Sequence, residues 1–204
     1  MKLYVMRHGE TDGNKIRLLQ GRLDKHLNEN GRKQAVKAGE YLKKIPFDAC
    51  YVSPLSRTME TAELATGRDR TTFIPEERII EISFGSMEGS TLEELDADFR
   101  DFFLAPQQYQ PIPGAESFQE LTARITDFLE ELKTKPYQHV LAVSHGAAIH
   151  ALLLVVEKRE LSTFWQQDIG NCGITELELI GGEWQITKAC ETQDLYYGKG
   201  ALKE

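Results

Sequence analysis

Two segments place a histidine directly before a glycine at the end of an apolar run: LYVMRHGET, residues 3–11, and VLAVSHGAA, residues 140–148. The first sets Arg7 beside His8, and a third segment, ACYVSPLSR, brings Arg57 shortly after another apolar run. Planar guanidinium forks suit phosphate oxygens bidentately. An imidazole attacks as a nucleophile when one nitrogen is unprotonated and the other is held as a donor by a carbonyl or carboxylate. Neighbouring cations favour that neutral form. Two arginines, two histidines and the N–H groups of helix N-termini therefore describe an anion pocket, with phosphate as the leading ligand. A departing alkoxide would need a proton from a carboxylic acid of raised pKa, and Glu81 and Glu10 are the candidates.

Those side chains must be brought together by secondary structure. Short apolar runs ending in Gly and polar residues read as buried strands followed by loops, and α/β proteins bind ligands outside the carboxyl ends of such strands. The run GRKQAVKAGEYLKKI has a helical period that ends near Lys44, before Pro46. Ser53 reads as a helix N-cap with Pro54 at the first helical position, which puts Arg57 one turn into a helix. TTFI reads as a strand and RIIEI as a strand-like or loop segment. Thr91 with Glu94 and Ser117 with Glu120 form two capping boxes, opening helices over LEELDADFRDFF and FQELTARITDFLEELK. Between them, LAPQQYQPIPGAE holds three prolines and reads as a loop. HALLLVVE belongs to a core helix, and GITELELI, GG and EWQITKA make a hairpin. Strands alternating with helices predict an α/β fold: a three-layer α/β/α sandwich with a mostly parallel sheet and an antiparallel edge.

At 204 residues the simplest organisation is one domain over 1–204, with 83–116 as a helical and loop cap over the site. The chain carries 24 basic against 32 acidic residues, a net charge of −8, which disfavours nucleic acid and anionic membranes as partners. Any anion it binds must be held by a local cluster. Three cysteines without CxxC spacing speak against a disulfide framework or a cysteine-rich zinc site and for a reducing cytoplasm. No run reaches the roughly 20 apolar residues of a membrane helix, and no signal-peptide pattern opens the chain. HExxH is absent, and the spacing of His145 and His150 does not align two ligands on one helix face, so no metal is expected.

In order along the chain, RHGET, SPLSRTMETA, PGAES and VSHG resemble the motifs of the histidine phosphatase superfamily, also called phosphoglycerate mutase-like, from the first strand to the final hairpin. The resemblance implies that His8 becomes phosphorylated, that Arg7 and Arg57 grip the phosphoryl group, and that His145 completes the pocket. EISFGSMEG matches the segment carrying the family's proton donor, which implies Glu81 for that role. Asn14 matches a phosphate-contacting asparagine, and QGRLD fits the loop that follows, so Gln20 and Gly21 are expected at the substrate. Glu10 either supports His8 or caps a turn, and Glu116 supports the site. The resemblance also implies chemistry without metal or other cofactor, and it allows a homodimer.

The departures from the family separate three functions. A phosphatase lets water take the phosphoryl group from His8; a cofactor-dependent phosphoglycerate mutase returns it to another oxygen; a phosphate-binding or regulatory protein keeps the fold without turnover. Mutases of this kind follow the donor glutamate with a basic residue and an aromatic, whereas Ile82, Ser83 and Phe84 follow Glu81 here. The chain is also short between Glu81 and His145, where mutases carry an arginine-bearing insertion. Both differences favour a phosphomonoesterase acting on a small-molecule phosphomonoester. Phe99, Phe102, Phe103 and Tyr109 are expected chiefly to pack the cap, with one of them free to face the site.

Overall fold

The computed structural model describes residues 1–95 and 97–190. Six strands form one sheet: β1 (Lys2–Arg7), β2 (Ala49–Val52), β3 (Ile74–Pro75), β4 (His139–Ser144), β5 (Ile174–Ile180) and β6 (Glu183–Lys188), in the order β3-β2-β4-β1-β5-β6. The first four in that order run parallel, and β5 and β6 close one side antiparallel. In the β1–β4 ladder Arg7 lies opposite Ser144, so His8 and His145 leave neighbouring strands at the same level.

The central strands are buried on both faces, and their alternate side chains feed two cores. Leu3, Val5, Tyr51, Val140 and Ala142 face α5 (Phe118–Lys133) and α6 (Gly146–Glu157). Tyr4, Met6, Cys50, Val52, Leu141 and Val143 face the other way, where Leu42 of α2 (Glu29–Leu42) and Met59, Ala62 and Ala65 of α3 (Ser56–Thr66) pack. The result is the three-layer α/β/α sandwich, with helices on both faces of a mostly parallel sheet and the hairpin at its antiparallel edge. A four-residue helix, α1 (Asp12–Lys15), follows the first strand.

Asn28 caps α2 by accepting from the Gly31 N–H, and Ser117 and Glu120 form the capping box of α5. Gly181 and Gly182 turn the hairpin with φ of 60° and 86°. Ser53 does not cap a helix: α3 starts at Ser56 after Leu55, and the Ser53 hydroxyl is committed to His145. TTFI contributes only its last residue, Ile74, to β3, because Asp69 caps a 3-10 turn over Arg70–Thr72. Thr91 and Glu94 do form a capping box, on a 3-10 turn at Leu92–Glu94; the following helix is the separate α4 (Ala97–Leu104). The predicted helix spans Asp96, and the predicted domain runs through 191–204, both outside the described residues.

The segment 83–116 is fastened by its aromatic residues. Phe99, Phe102, Phe103 and Tyr109 are all buried; the Phe102 ring lies 4.8 Å from Phe118, 5.1 Å from Tyr109 and 5.4 Å from Trp165. These rings pack the segment onto the α5 and α6 side of the sheet. No helix among the described residues is long and apolar enough to cross a membrane.

Candidate active site

The site is assembled at the carboxyl ends of β1, β2 and β4. Arg7 ends β1, and its Nη1 donates to the Ile169 carbonyl at 2.6 Å. His8, next in the chain, is 3% exposed, and its backbone N–H donates to Ser144 O at 2.9 Å, continuing the ladder past the strand end. The His8 Nδ1 donates to the Gly9 carbonyl at 2.7 Å. A carbonyl oxygen can only accept, so this contact fixes the tautomer and makes Nε2 the unprotonated nitrogen. Burial, then the Arg57 and Arg7 charges, hold the His8 pKa well below the ordinary imidazole value. His8 is therefore neutral near pH 7.

The His145 ring lies 5.2 Å from that of His8 and is fully buried. Its Nε2 is 2.7 Å from Ser53 Oγ, and its Nδ1 accepts from Arg57 Nε at 3.2 Å. Since Nδ1 accepts, Nε2 carries the proton and donates to Ser53. Burial, with Arg57 and His8 adding to it, lowers the His145 pKa well below the usual range. Arg57, in the first turn of α3, also donates through Nη1 to Leu23 O at 2.8 Å and through Nη2 to Gly21 O at 2.7 Å. Three protein acceptors thus hold one guanidinium in a single plane.

Glu81 reaches the site from the irregular segment after β3. Ser144 anchors that segment by donating its hydroxyl to Ile79 O at 2.7 Å. The Glu81 Oε1 accepts from the Ile82 and Ala148 N–H groups at 3.0 and 3.2 Å, and Oε2 accepts from Ala147 at 3.3 Å. The carboxyl group thereby sits over the first turn of α6, where the helix has N–H groups without intrahelical partners. Its residue surface is only partly covered, yet protein surrounds the carboxyl closely enough that burial raises its pKa; the Ile82 N–H and the two arginines pull the other way. A Cβ at Gly146 would lie 3.8 Å from both the Arg7 guanidinium and Glu81 Oε2, so both groups approach the same backbone position.

The other sequence candidates are supports of this centre. Asn14 Oδ1 accepts from the Thr11 N–H at 2.9 Å, so its amide N–H2 is the group left for a ligand. Gln20 accepts from the Thr11 hydroxyl at 2.8 Å and packs against Gly13. Gly21 adopts φ of 48° and offers its carbonyl to Arg57; a Cβ there would lie 2.3 Å from Glu88 Oε1. Glu10 turns to Asn28, whose Nδ2 donates to its Oε1 at 2.8 Å, and so joins the His8 loop to the start of α2. Glu116 is gripped by Arg124 through Nε at 2.6 Å and Nη2 at 2.9 Å.

Sequence reasoning passed over several residues that build the site. Thr61 accepts from the Gly9 N–H at 3.0 Å, tying the His8 loop to α3. Asn171 donates to His8 O at 2.9 Å, and Cys172, at φ of 57°, directs its N–H toward the carbonyls of Arg7 and His8. A non-glycine residue held in the left-handed region marks a loop whose conformation the surroundings dictate. The only sequence signal was a pair of glycines, Gly170 and Gly173, around two small polar residues.

The model of the histidine phosphatase superfamily (branch 1) matches residues 3–192. The chain belongs to this family. It is 34% identical over 201 residues to the putative phosphoserine phosphatase 2 of Hydrogenobacter thermophilus, an overlap of 95% of this chain and 98% of the relative. Among solved structures, a mutant phosphoserine phosphatase from Entamoeba histolytica in complex with phosphoserine aligns at a TM-score of 0.84 and 30% identity, covering 94% of this chain and 98% of that one. A mycobacterial glucosyl-3-phosphoglycerate phosphatase complexed with VO3 aligns at 0.80 and 30%, covering 94% and 99%. With these relatives, this histidine phosphatase is a phosphomonoester hydrolase.

Proposed function

We propose that this histidine phosphatase is a metal-independent phosphomonoesterase that acts through a phosphohistidine on small phosphorylated metabolites. Nε2 of His8 attacks phosphorus in line, and the P–O bond to the alcohol breaks as the P–N bond forms. Arg7 and Arg57 balance the charge on the equatorial oxygens, with His145 holding Arg57 in place. Glu81 gives its proton to the leaving oxygen. It then takes one from the water that attacks phosphorus, and the P–N electron pair returns to His8.

The observation that carries this reading is the 2.7 Å bond from His8 Nδ1 to Gly9 O, which leaves Nε2 unprotonated beside two guanidiniums. Phosphate release should be measured with chelator present, across an aryl phosphate, phosphoserine, sugar phosphates, nucleotides and 3-phosphoglycerate. Release by the native protein that vanishes in His8→Ala is expected. Release that survives this substitution overturns the mechanism. Interconversion of phosphoglycerates after priming with a bisphosphoglycerate, without net release, would make the protein a mutase.

A further inference from the structure

Arg22 follows the glycine whose carbonyl positions Arg57, and its own N–H is pinned by Glu88 Oε1 at 3.0 Å. Its backbone is therefore fixed relative to the phosphate-gripping arginine, while its side chain remains 46% exposed. Among the described residues, that guanidinium pairs with Glu116 Oε2 at 3.3 Å. Glu116 is already held by Arg124 through both oxygens, so two guanidiniums share one carboxylate and Arg22 is the weaker claimant. The other carboxylate close by, Glu88, has its Oε1 occupied by the N–H groups of Arg22 and Phe84.

The position of this cation matters. Glu116 Oε2 also receives the Ser83 N–H at 3.4 Å, and Ser83 lies two residues beyond Glu81. Arg22 is thus connected on one side to Arg57, at the phosphoryl pocket, and on the other to the strand of chain that carries the proton donor. A leaving group extends from phosphorus past the acid that protonates it. Its far end therefore emerges toward Ser83, Glu116 and Arg22.

We infer that Arg22 is a specificity residue that reads a carboxylate on the alcohol part of the substrate. The inference rests on the hydrolase reading above and narrows it to phosphomonoesters of small hydroxy acids. A half-exposed guanidinium bound to a single oxygen at 3.3 Å can exchange that contact for a bidentate one to a substrate carboxylate, while Arg124 keeps Glu116 neutralised. The short cap sequence after Glu81 supplies no competing cation until Arg100.

3-Phosphoglycerate and glycerol 3-phosphate share a skeleton and differ by a carboxylate in place of a hydroxymethyl group, so they isolate this contact. Calorimetric binding of each is measured in the His8→Ala background, with and without Arg22→Met. The parent is expected to prefer 3-phosphoglycerate, and Arg22→Met to reduce that preference about 10- to 100-fold, with Arg22→Lys restoring part of it. In the His8-containing enzyme the same substitution should lower the kcat/KM ratio of the two esters chiefly through KM. A preference that is the same with and without Arg22, or no preference in the parent, overturns the inference. Because the calorimetric comparison needs no turnover, its result stands apart from any failure of the phosphohistidine mechanism, which would appear as hydrolysis surviving His8→Ala.

Discussion

Ser53 Oγ lies 2.7 Å from Nε2 of His145 and accepts a hydrogen bond from the proton that Arg57, by donating to Nδ1, leaves on that nitrogen. With Nε2–H committed to Ser53, Nδ1 is available to Arg57, and the arginine is aimed at the pocket. Ser53→Ala would leave a buried N–H without its partner, at a cost of about 1–3 kcal/mol. We expect kcat/KM to fall about 10- to 100-fold through misplacement of Arg57. Nitrogen NMR of the His145 ring separates this from simple destabilisation: the native protein should show the Nε2–H tautomer, and the variant a mixture. An unchanged ring signature with unchanged activity would remove Ser53 from the positioning set.

Glu81→Gln should discriminate between leaving groups. An alkyl alcohol needs its proton from Glu81 and should lose about 100-fold or more in kcat/KM, whereas an activated aryl phosphate should lose far less. The pH profile carries the sign of the shift. Burial raises the Glu81 pKa, so the protonated form survives above the ordinary carboxylate range, and hydrolysis of alkyl phosphates declines as pH rises through that raised value. The declining limb should vanish in Glu81→Gln. Equal losses for both ester types would assign the proton to another group.

His150 gives stability its own pH dependence. The ring is buried against Trp165 at 4.8 Å, and its Nδ1 has no hydrogen-bond partner among the described residues. Burial first, then Arg7 and Arg159, bring its pKa down to about 3. The unfolded chain takes up a proton near pH 6.5 while the native state does not, so stability is full above that value and is lost as pH falls toward 3. The loss from this residue is about 1.4 kcal/mol per pH unit. His150→Leu should match the native protein at pH 7 and lose less between pH 6.5 and 5, as read from urea midpoints. Parallel midpoint curves for the two proteins would count against this origin.

Gly31 lies where α2 meets the His8 loop. A Cβ at this position would sit 2.1 Å from the Glu10 carbonyl oxygen and 2.6 Å from the Glu10 nitrogen, and both are backbone atoms that cannot swing aside. Gly31→Ala should cost about 1–3 kcal/mol from overpacking, more than the ~1 kcal/mol that alanine adds to a helix interior. We expect a lower Tm and a lower kcat, because the displaced loop carries His8. An alanine variant as stable and as active as the native protein would show that the loop can yield.

The parallel sheet and its functional edge were legible in the sequence because both histidines follow apolar runs that end abruptly in His-Gly. That grammar records a strand, a loop and a helix in a few residues. Ser53 misled for a physical reason: Ser-Pro is a strong capping signal, but the hydroxyl was claimed by a histidine far along the chain. TTFI failed because Asp69 competes locally for the backbone of Thr71. Arg7, His8, Arg57, Glu81 and His145 lie near one another at the carboxyl ends of the parallel strands. By contrast, Glu10 turns to Asn28, and the Gly21 carbonyl turns to Arg57. Neither partnership has a sequence signature, since each depends on which loops the completed sheet brings side by side. Thr61 was silent for the same reason, and Asn171 and Cys172 were marked only by the glycines on either side of them.

The place of β1 between β4 and β5 has a consequence for how this enzyme is made. Both neighbours of the strand that carries Arg7 toward His8 come from residue 139 onward, so this strand is synthesised long before its partners. Pairings between distant segments are slow to form because the intervening chain must be ordered before they contribute. During synthesis, Leu3, Val5 and Met6 stay exposed until β4 has left the ribosome, a period in which this apolar segment is open to chaperones and to self-association. Catalytic activity consequently marks completion of the fold: a refolding chain can regain much of its helix content while still inactive, and turnover returns only when the centre of the sheet closes.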